Sequence, residues 1–582
     1  MIRQINIWTS SMRVLVLLCL VSTTAFSQNL EELGVDKGLK FNGSINLNTV
    51  NYYVNGIEQR RDPFNWFLTG NLNVNLFGYS APLSFSYSNA NRSFTQPFNQ
   101  FSFAPQYKWV KTYIGYNAMT FSNYTLAGHV FLGGGVELTP GKWRIAAMHG
   151  RLRKAVGYNL LDTLQYQEAS FKRMGTGLKV GYENNGDMVS ANIFTAKDDV
   201  NSIPYIITEN QLAPQQNVAI GITVRKKILK KFFAEVEYAI SSMNTDTRAN
   251  RDTEQDSTGI RASHNLIKGL LPENATNRYY DALNGSIGYN STWYGIQMKY
   301  ERVAPEYNSL GAYFFNNDMR NITLIPSVRF LKNTLNFAGN VGFQNNNLDQ
   351  TRASTTKRFI GSVNATYAPN ELYNFAMGYS NFSTFTNIRP LQDPFLQNTL
   401  DTLNFYQLSQ TMNGTVTRNL GGPDNPQSLM FSTNYQVASD QASYEGGSQQ
   451  SGYITMNGSY SYSFASSGTT LALAGNLYMN NAVGMKSTYW GPSIICAKTF
   501  MEKQLRSSLS TSYNETHGSE IKASPVLNNR LNCSYTPKSR ESTSKSRHSL
   551  SLGINVVNRL KSVLQHPAFS EVTGMCNYSY TF

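Results

Sequence analysis

The chain has 582 residues and a formal net charge of +14, yet only 15% of it is charged while 13% is aromatic, with 35 Tyr and 32 Phe. Ordinary globular chains carry about 25% charged residues, and a mean hydropathy of −0.35 is far too low for a bundle of membrane-spanning helices. Four cysteines scattered along the chain exclude a disulfide framework and a cysteine metal cluster.

In chain order, residues 1–27 read as a secretory signal peptide. Arg3 and Arg13 supply positive charge, Val14 to Val21 is an apolar run, and Ala25-Phe26-Ser27 places small residues at −3 and −1 of a cut between Ser27 and Gln28. The run is shorter than the ~18–20 residues of a spanning helix. Leu17-Leu18 before Cys19 does not fit lipoprotein processing. The mature chain then has 555 residues and a charge of +12. Residues 28–39 are expected to be a short periplasmic segment, and 40–582 a single barrel domain.

From residue 40 onward, apolar and polar residues alternate. Phe41, Gly43, Ile45 and Leu47 alternate with Asn42, Ser44, Asn46 and Asn48. Leu83, Phe85 and Tyr87 alternate with serines. Ile454 to Phe464 and Leu550 to Val556 repeat the pattern. Successive strand residues point to opposite faces, so the alternation separates a lipid face from a wet one. The segments run to ~10–14 residues, against ~5–6 for soluble strands, and the polar face is Asn, Ser and Thr rather than Lys and Glu. The reading is all-β: a transmembrane antiparallel up-and-down β-barrel.

The expected strands are 40–52, 65–77, 81–90, 128–138, 142–153, 170–182, 187–197, 216–226, 231–242, 279–290, 293–303 and 320–330. They continue as 334–345, 357–368, 371–382, 406–418, 427–438, 450–464, 468–480, 484–497, 502–514, 525–537, 545–557 and 572–582. The count is 24, with a range of 22–26. Short turns such as Glu183-Asn184-Asn185-Gly186 and Ala368-Pro369-Asn370-Glu371 alternate with long connections at 91–127, 198–215, 243–278 and 383–405. That parity places both termini in the periplasm.

Residues 91–127 must be one excursion or hold an even number of strands. They are aromatic and basic, which leaves two readings: a hairpin pair of wall strands, giving 26, or a loop in the lumen. In the second, Lys108, Trp109, Lys111, Tyr113 and Tyr116 would form a constriction or plug.

No HExxH, CxxC or GxSxG motif occurs, and no histidines stand at metal-ligand spacing. No catalytic residue, cofactor or metal is expected. His149 reads as a polar lumenal residue. Gly133-Gly134-Gly135 marks a bulge, a sharp bend or a place of close packing. Cys496, Cys533 and Cys576 read as ordinary strand residues. Cations cluster at Arg60-Arg61, Arg151-Leu152-Arg153-Lys154 and Arg225 to Lys231. Such clusters suit loop solubility, the phosphates of lipopolysaccharide or an anion-biased pore, and nucleic acid is not an expected partner.

At the C-terminus, Cys576, Tyr578, Tyr580 and Phe582 alternate with Asn577, Ser579 and Thr581. Tyr578, Tyr580 and Phe582 resemble the terminal signal that barrel-assembly machinery reads. With the signal peptide and the Asn- and Tyr-rich strands, the mature chain resembles a Gram-negative outer-membrane β-barrel of the Bacteroidota type, porin-like. Asp162-Thr163-Leu164 and Asp401-Thr402-Leu403 resemble the O-glycosylation sites of those bacteria. TonB-dependent transporters carry a plug of well over 100 residues before the first strand; the segment 28–39 departs from that pattern. The resemblance implies a channel for small polar or anionic solutes in the outer membrane. The alternative is a non-conducting scaffold for a secretion, adhesion or surface-lipoprotein complex. Expected partners are outer-membrane lipid and lipopolysaccharide, the assembly machinery and such a lipoprotein or secretion component.

Overall fold

The computed structural model describes residues 39–582 except 90–98, 158–168, 204–211, 230, 250–268, 273, 314–315, 352–356, 382–406, 441–449, 483–484, 519–523, 539–545 and 561–566. The expected signal peptide with Ser27 and Gln28, the Asp-Thr-Leu triplets at 162 and 401, and the connection 383–405 lie outside the described residues.

The strands are β1 (Lys40–Asn55), β2 (Phe64–Leu76), β3 (Tyr79–Ser88), β4 (Gln100–Phe103), β5 (Gln106–Tyr107), β6 (Val110–Thr120), β7 (Ala127–Leu138), β8 (Trp143–Arg153) and β9 (Lys172–Asn184). They continue as β10 (Asp187–Asp199), β11 (Gln216–Ile228), β12 (Phe232–Asn244), β13 (Asn277–Asn290), β14 (Tyr294–Val303), β15 (Met319–Phe330), β16 (Leu335–Asn345), β17 (Lys357–Asn370) and β18 (Tyr373–Ser380). The last third is β19 (Gln407–Leu420), β20 (Gln427–Asp440), β21 (Gln450–Phe464), β22 (Thr469–Ala482), β23 (Met485–Phe500), β24 (Leu505–Gly518), β25 (Ser524–Tyr535), β26 (Arg547–Arg559) and β27 (Phe569–Thr581).

Strands adjacent in sequence pair antiparallel, apart from β4 and β5, and β27 returns to β1 over Ser44↔Thr581 to Asn55↔Ser570. Phe582 and Gly43 exchange backbone hydrogen bonds of 3.0 and 2.9 Å below that ladder. β4 and β5 both lie between β3 and β6, so they are two halves of one wall strand. The break falls at Ala104-Pro105, where proline has no N–H to give the ladder. The result is a closed all-β barrel of 26 wall strands, the upper end of the expected range. The two strands beyond the main count of 24 come from residues 100–120, the hairpin pair foreseen for 91–127.

Closure leaves no sheet edge among the described strands, so the wall satisfies its backbone strand to strand rather than with water, which the bilayer core demands. The register sorts the faces as the alternation predicts. Leu47, Leu72, Leu83, Ile454, Leu552 and Tyr578 share the outer face; Asn48, Ser84, Asn457, Ser551 and Asn577 share the inner one. Rings gather on the outer face at the end that carries the short turns, the start of β1 and Phe582. Trp143–Tyr182, Phe232–Tyr289, Trp293–Tyr294 and His548–Tyr580 have ring centroids 4.4–5.5 Å apart, a membrane girdle in form. Cys496, Cys533 and Cys576 are free thiols on the outer face.

Candidate functional site: the lumen

A round barrel of 26 strands, spaced ~4.8 Å and tilted ~40°, is about 50 Å across. Side chains alone do not fill such a space. Two connections at the long-loop end fold inward and cover one sector of the wall. One is 121–126, between β6 and β7; the other runs from Ala304 past Ala312, between β14 and β15. They join through the Leu126↔Gly311 bridge and the bond from Ala127 N to Gly311 O (3.0 Å).

The underside of this lobe is apolar. Phe121, Leu126 and Leu310 pack with Met119, Phe131, Met148, Leu152 and Phe194 from the wall in one buried cluster. Lumen-facing glycines make the room. A Cβ on Gly177 would lie 2.6 Å from the Phe121 ring, one on Gly175 2.7 Å from Leu152, and one on Gly135 2.7 Å from Met119 Sδ. The Gly133-Gly134-Gly135 run is therefore a place of close packing.

The upper side is polar and held by a network of hydrogen bonds. Glu237 accepts from Asn123 N (2.9 Å) and Asn123 Nδ2 (3.3 Å). Glu301 accepts from Tyr124 OH (2.9 Å), Lys299 Nζ (3.3 Å) and Asn321 Nδ2 (3.4 Å). Thr125 Oγ1 donates to Asn192 Oδ1 (2.6 Å), Lys179 Nζ to Phe121 O (2.7 Å), Tyr307 OH to Tyr124 O (2.6 Å) and Ser309 Oγ to Thr125 O (2.6 Å). Asn217 Oδ1 accepts from Leu310 N at 3.1 Å. Buried polar groups satisfied in this way fix the lobe in one place.

Burial, with the Glu301 carboxylate second, pushes the Tyr124 phenol far above its ordinary value of 10.0. Burial followed by Glu237 and Asp281 does the same to Tyr307. A raised folded value means that the two phenols add stability below about pH 10, which is lost as pH rises through their folded values. Absorbance at 295 nm is therefore expected to show two tyrosines of the folded barrel that ionise only when the lobe unfolds. In Tyr124→Phe that late fraction shrinks by one; an unchanged late fraction would remove Tyr124 from the explanation.

The five residues expected to form a constriction do not make one group. Lys108 and Trp109 sit in the short turn between β5 and β6, with Trp109 half exposed. Lys111 and Tyr113 share the lumenal face of β6, the ammonium 4.7 Å from the ring centroid, and Tyr113 joins the cluster under the lobe. Tyr116 has the opposite parity, and its hydroxyl accepts from Arg151 Nη2 at 3.0 Å. His149 is a correction: it pairs with Gly134 and Thr176 on the outer face, and its Nδ1 lies 2.8 Å from Thr176 Oγ1. The buried, lumenal positions of β8 are the even ones, Ala146 to Leu152. Of the basic clusters, Arg225 pairs with Glu235 (3.0 Å) and Lys226 with Asp187.

The lumenal feature that sequence reasoning missed lies about half the circumference from the lobe. Arg506, Arg530 and Arg559 face the lumen from β24, β25 and β26. Arg506 stands level with Ser534 and Arg559 with Val526, so the three are rungs at four-residue steps along β25. Eight residues of strand make the ladder about 27 Å long. At the turn end Arg506 borders a recess of about 450 Å³ lined also by Asn48, Asn532, Ser534, Ser551 and Asn577. Arg547 lies beyond it on the same face. Among the described lumenal strand positions from β21 through β27 to β3, Glu571 is the one acid. Arg530 Nε, Arg559 Nε, Asn528 Oδ1, Thr573 Oγ1 and both amide atoms of Asn555 are buried without a protein hydrogen-bond partner. Single arginines in serine-rich strands give no local signal; the ladder exists only once the register is set.

No family description and no curated protein matches the chain. Among solved structures, it is similar to the P pilus usher (PapC) translocation pore, at 12% identity over 93% of this chain and 98% of that chain, with a TM-score of 0.37. It is also similar to a mutant ferric enterobactin receptor (PfeA) from Pseudomonas aeruginosa, at 10% identity over 94% and 81%, TM-score 0.38. A BenF-like porin from Pseudomonas fluorescens Pf-5 matches at 9% identity over 68% and 98%, TM-score 0.30. The closed antiparallel wall, apolar outside and polar within, is that of a transmembrane β-barrel.

Proposed function

We propose that the barrel is a porin-like channel for small polar solutes that favours anions, with its short turns and both termini in the periplasm. The arginine ladder carries this reading. Three guanidiniums stand at even steps on a carpet of Asn, Ser and Thr, with a length close to the ~25 Å apolar band of such barrels. Arginine always carries its charge and offers planar donors to carboxylates and phosphates. The lumenal acids Glu237 and Glu301 are instead engaged by the lobe, by Asn123 and Tyr124. A passing anion can therefore move from one rung to the next, which keeps binding multi-site and each site leavable.

The test is single-channel recording from the purified barrel in a planar bilayer under a salt gradient. Stable steps with a reversal potential on the chloride side are expected. Silence from a folded, heat-modifiable barrel would sink the channel reading and favour a non-conducting scaffold for a secretion or surface-lipoprotein complex.

A further inference from the structure

The outer face of β8–β10 departs from the apolar belt at the long-loop end. Arg151 and Lys197 both stand opposite Met174, one from each side, so their Cα atoms are two strand spacings apart. That is about 10 Å, within which both side chains can converge on one anion. One row toward the turn end, His149, Thr176 and Thr195 lie side by side. One row further, Ala147, Leu178, Ile193 and Ile220 form an apolar floor. Lys172 adds a third cation above, opposite Asp199.

Arg151 is braced by Tyr116 OH rather than by a carboxylate. Among the described residues Lys197 is exposed and ion-paired with none. Charges on a lipid-facing wall are costly unless they meet polar headgroups. Counted from the Trp143–Tyr182 girdle, the Arg151–Lys197 row lies about one apolar band away, at the far membrane boundary.

We propose that this patch binds the phosphate of a phosphorylated membrane lipid, with Arg151 and Lys197 on the phosphate, the threonine hydroxyls on the headgroup and the acyl chains against Leu178 and Ile193. It rests on the reading that the outer belt lies in a membrane, and it is independent of conduction. The committed occupant is a lipid because the cations sit directly above an apolar floor, which free phosphate does not use.

The test is native mass spectrometry of the full barrel in detergent, titrated with a phosphorylated acyl-disaccharide lipid, its dephosphorylated counterpart and inorganic phosphate. Intact barrel is expected to retain the phosphorylated lipid and release the other two. The Arg151→Gln/Lys197→Gln variant is expected to hold it at least about tenfold more weakly, since charge-assisted bonds to phosphate are the strong ones. Arg320→Gln, an outward arginine at the same end on β15, is expected to change nothing. Equal retention of both lipids, equal loss in Arg320→Gln, or capture of inorganic phosphate alone would each overturn the proposal. Single-channel conductance of the double variant should equal that of the parent, so a failed lipid test and a failed channel test are distinguishable.

Discussion

Replacing Arg506, Arg530 and Arg559 together by glutamine is expected to collapse the anion preference of the pore, lowering the chloride-to-potassium permeability ratio by about tenfold at 0.1 M salt. A unit charge about 7 Å from a passing ion contributes roughly 0.6–2 kcal/mol for effective dielectric constants between water and a protein surface. Removing three rungs therefore moves the ion's free energy along the whole lumen by about one decade in permeability or more. Arg530→Glu alone puts a negative charge at mid-height and is expected to shift the reversal potential most per substitution. The ladder residues lie on the inner face of an otherwise intact wall, so assembly should persist, as heat modifiability would show. Screening supplies a control. The Debye length falls from ~10 Å at 0.1 M to ~3 Å at 1 M, so parent and variant should converge at high salt. An unchanged reversal potential at 0.1 M in the triple variant would remove the ladder from the mechanism, even if the barrel conducts.

What the sequence discloses is divided along a physical line. A strand's side-chain period is local, so Leu550-Ser551-Leu552-Gly553-Ile554 announces its two faces without its neighbours, and the outer belt was legible. The number 26 was harder. Pro105 splits one wall strand into four- and two-residue pieces, too short to alternate visibly. Tyr116 and His149 show the opposite limit. Aromatic and polar residues are welcome in the lumen and at the membrane boundary alike, so only register decides between them. The lobe joins residues about 180 positions apart, as Tyr124 to Glu301 shows, and nothing in Ser122-Asn123-Tyr124-Thr125 names its distant partner. The glycines came closest to signalling it, because a run such as Gly133-Gly134-Gly135 weakens a strand unless something packs into the space.

That space yields the second large effect. Gly177→Val is expected to dislodge the lobe while leaving the wall intact. The first added carbon would stand 2.6 Å from the Phe121 ring, and Phe121 is 3% exposed, with buried neighbours on its other sides. Overpacking of this kind costs about 1–3 kcal/mol, and the loss spreads because the lobe is held as one unit. Once Phe121 moves, Asn123 leaves Glu237 and Tyr124 leaves Glu301, and the buried Glu237 carboxylate that loses its donors adds about 1–3 kcal/mol. Hydrogen exchange reads the outcome directly. The amides of Phe121 and Ala127, bonded within the lobe, and of Leu310, bonded to Asn217 on the wall, should exchange at least about thirtyfold faster. Ladder amides of β20–β23, remote from the lobe, should be unchanged. Gly177→Val combined with Phe121→Ala returns the volume and is expected to recover most of the protection. If the single variant leaves lobe exchange unaltered, the glycine floor is incidental to the seating of the lobe. If the double variant fails to recover while the wall stays protected, the phenyl ring itself holds the lobe down, and the loss would be assigned to its apolar contacts with Phe131 and Leu152 rather than to the space beneath it.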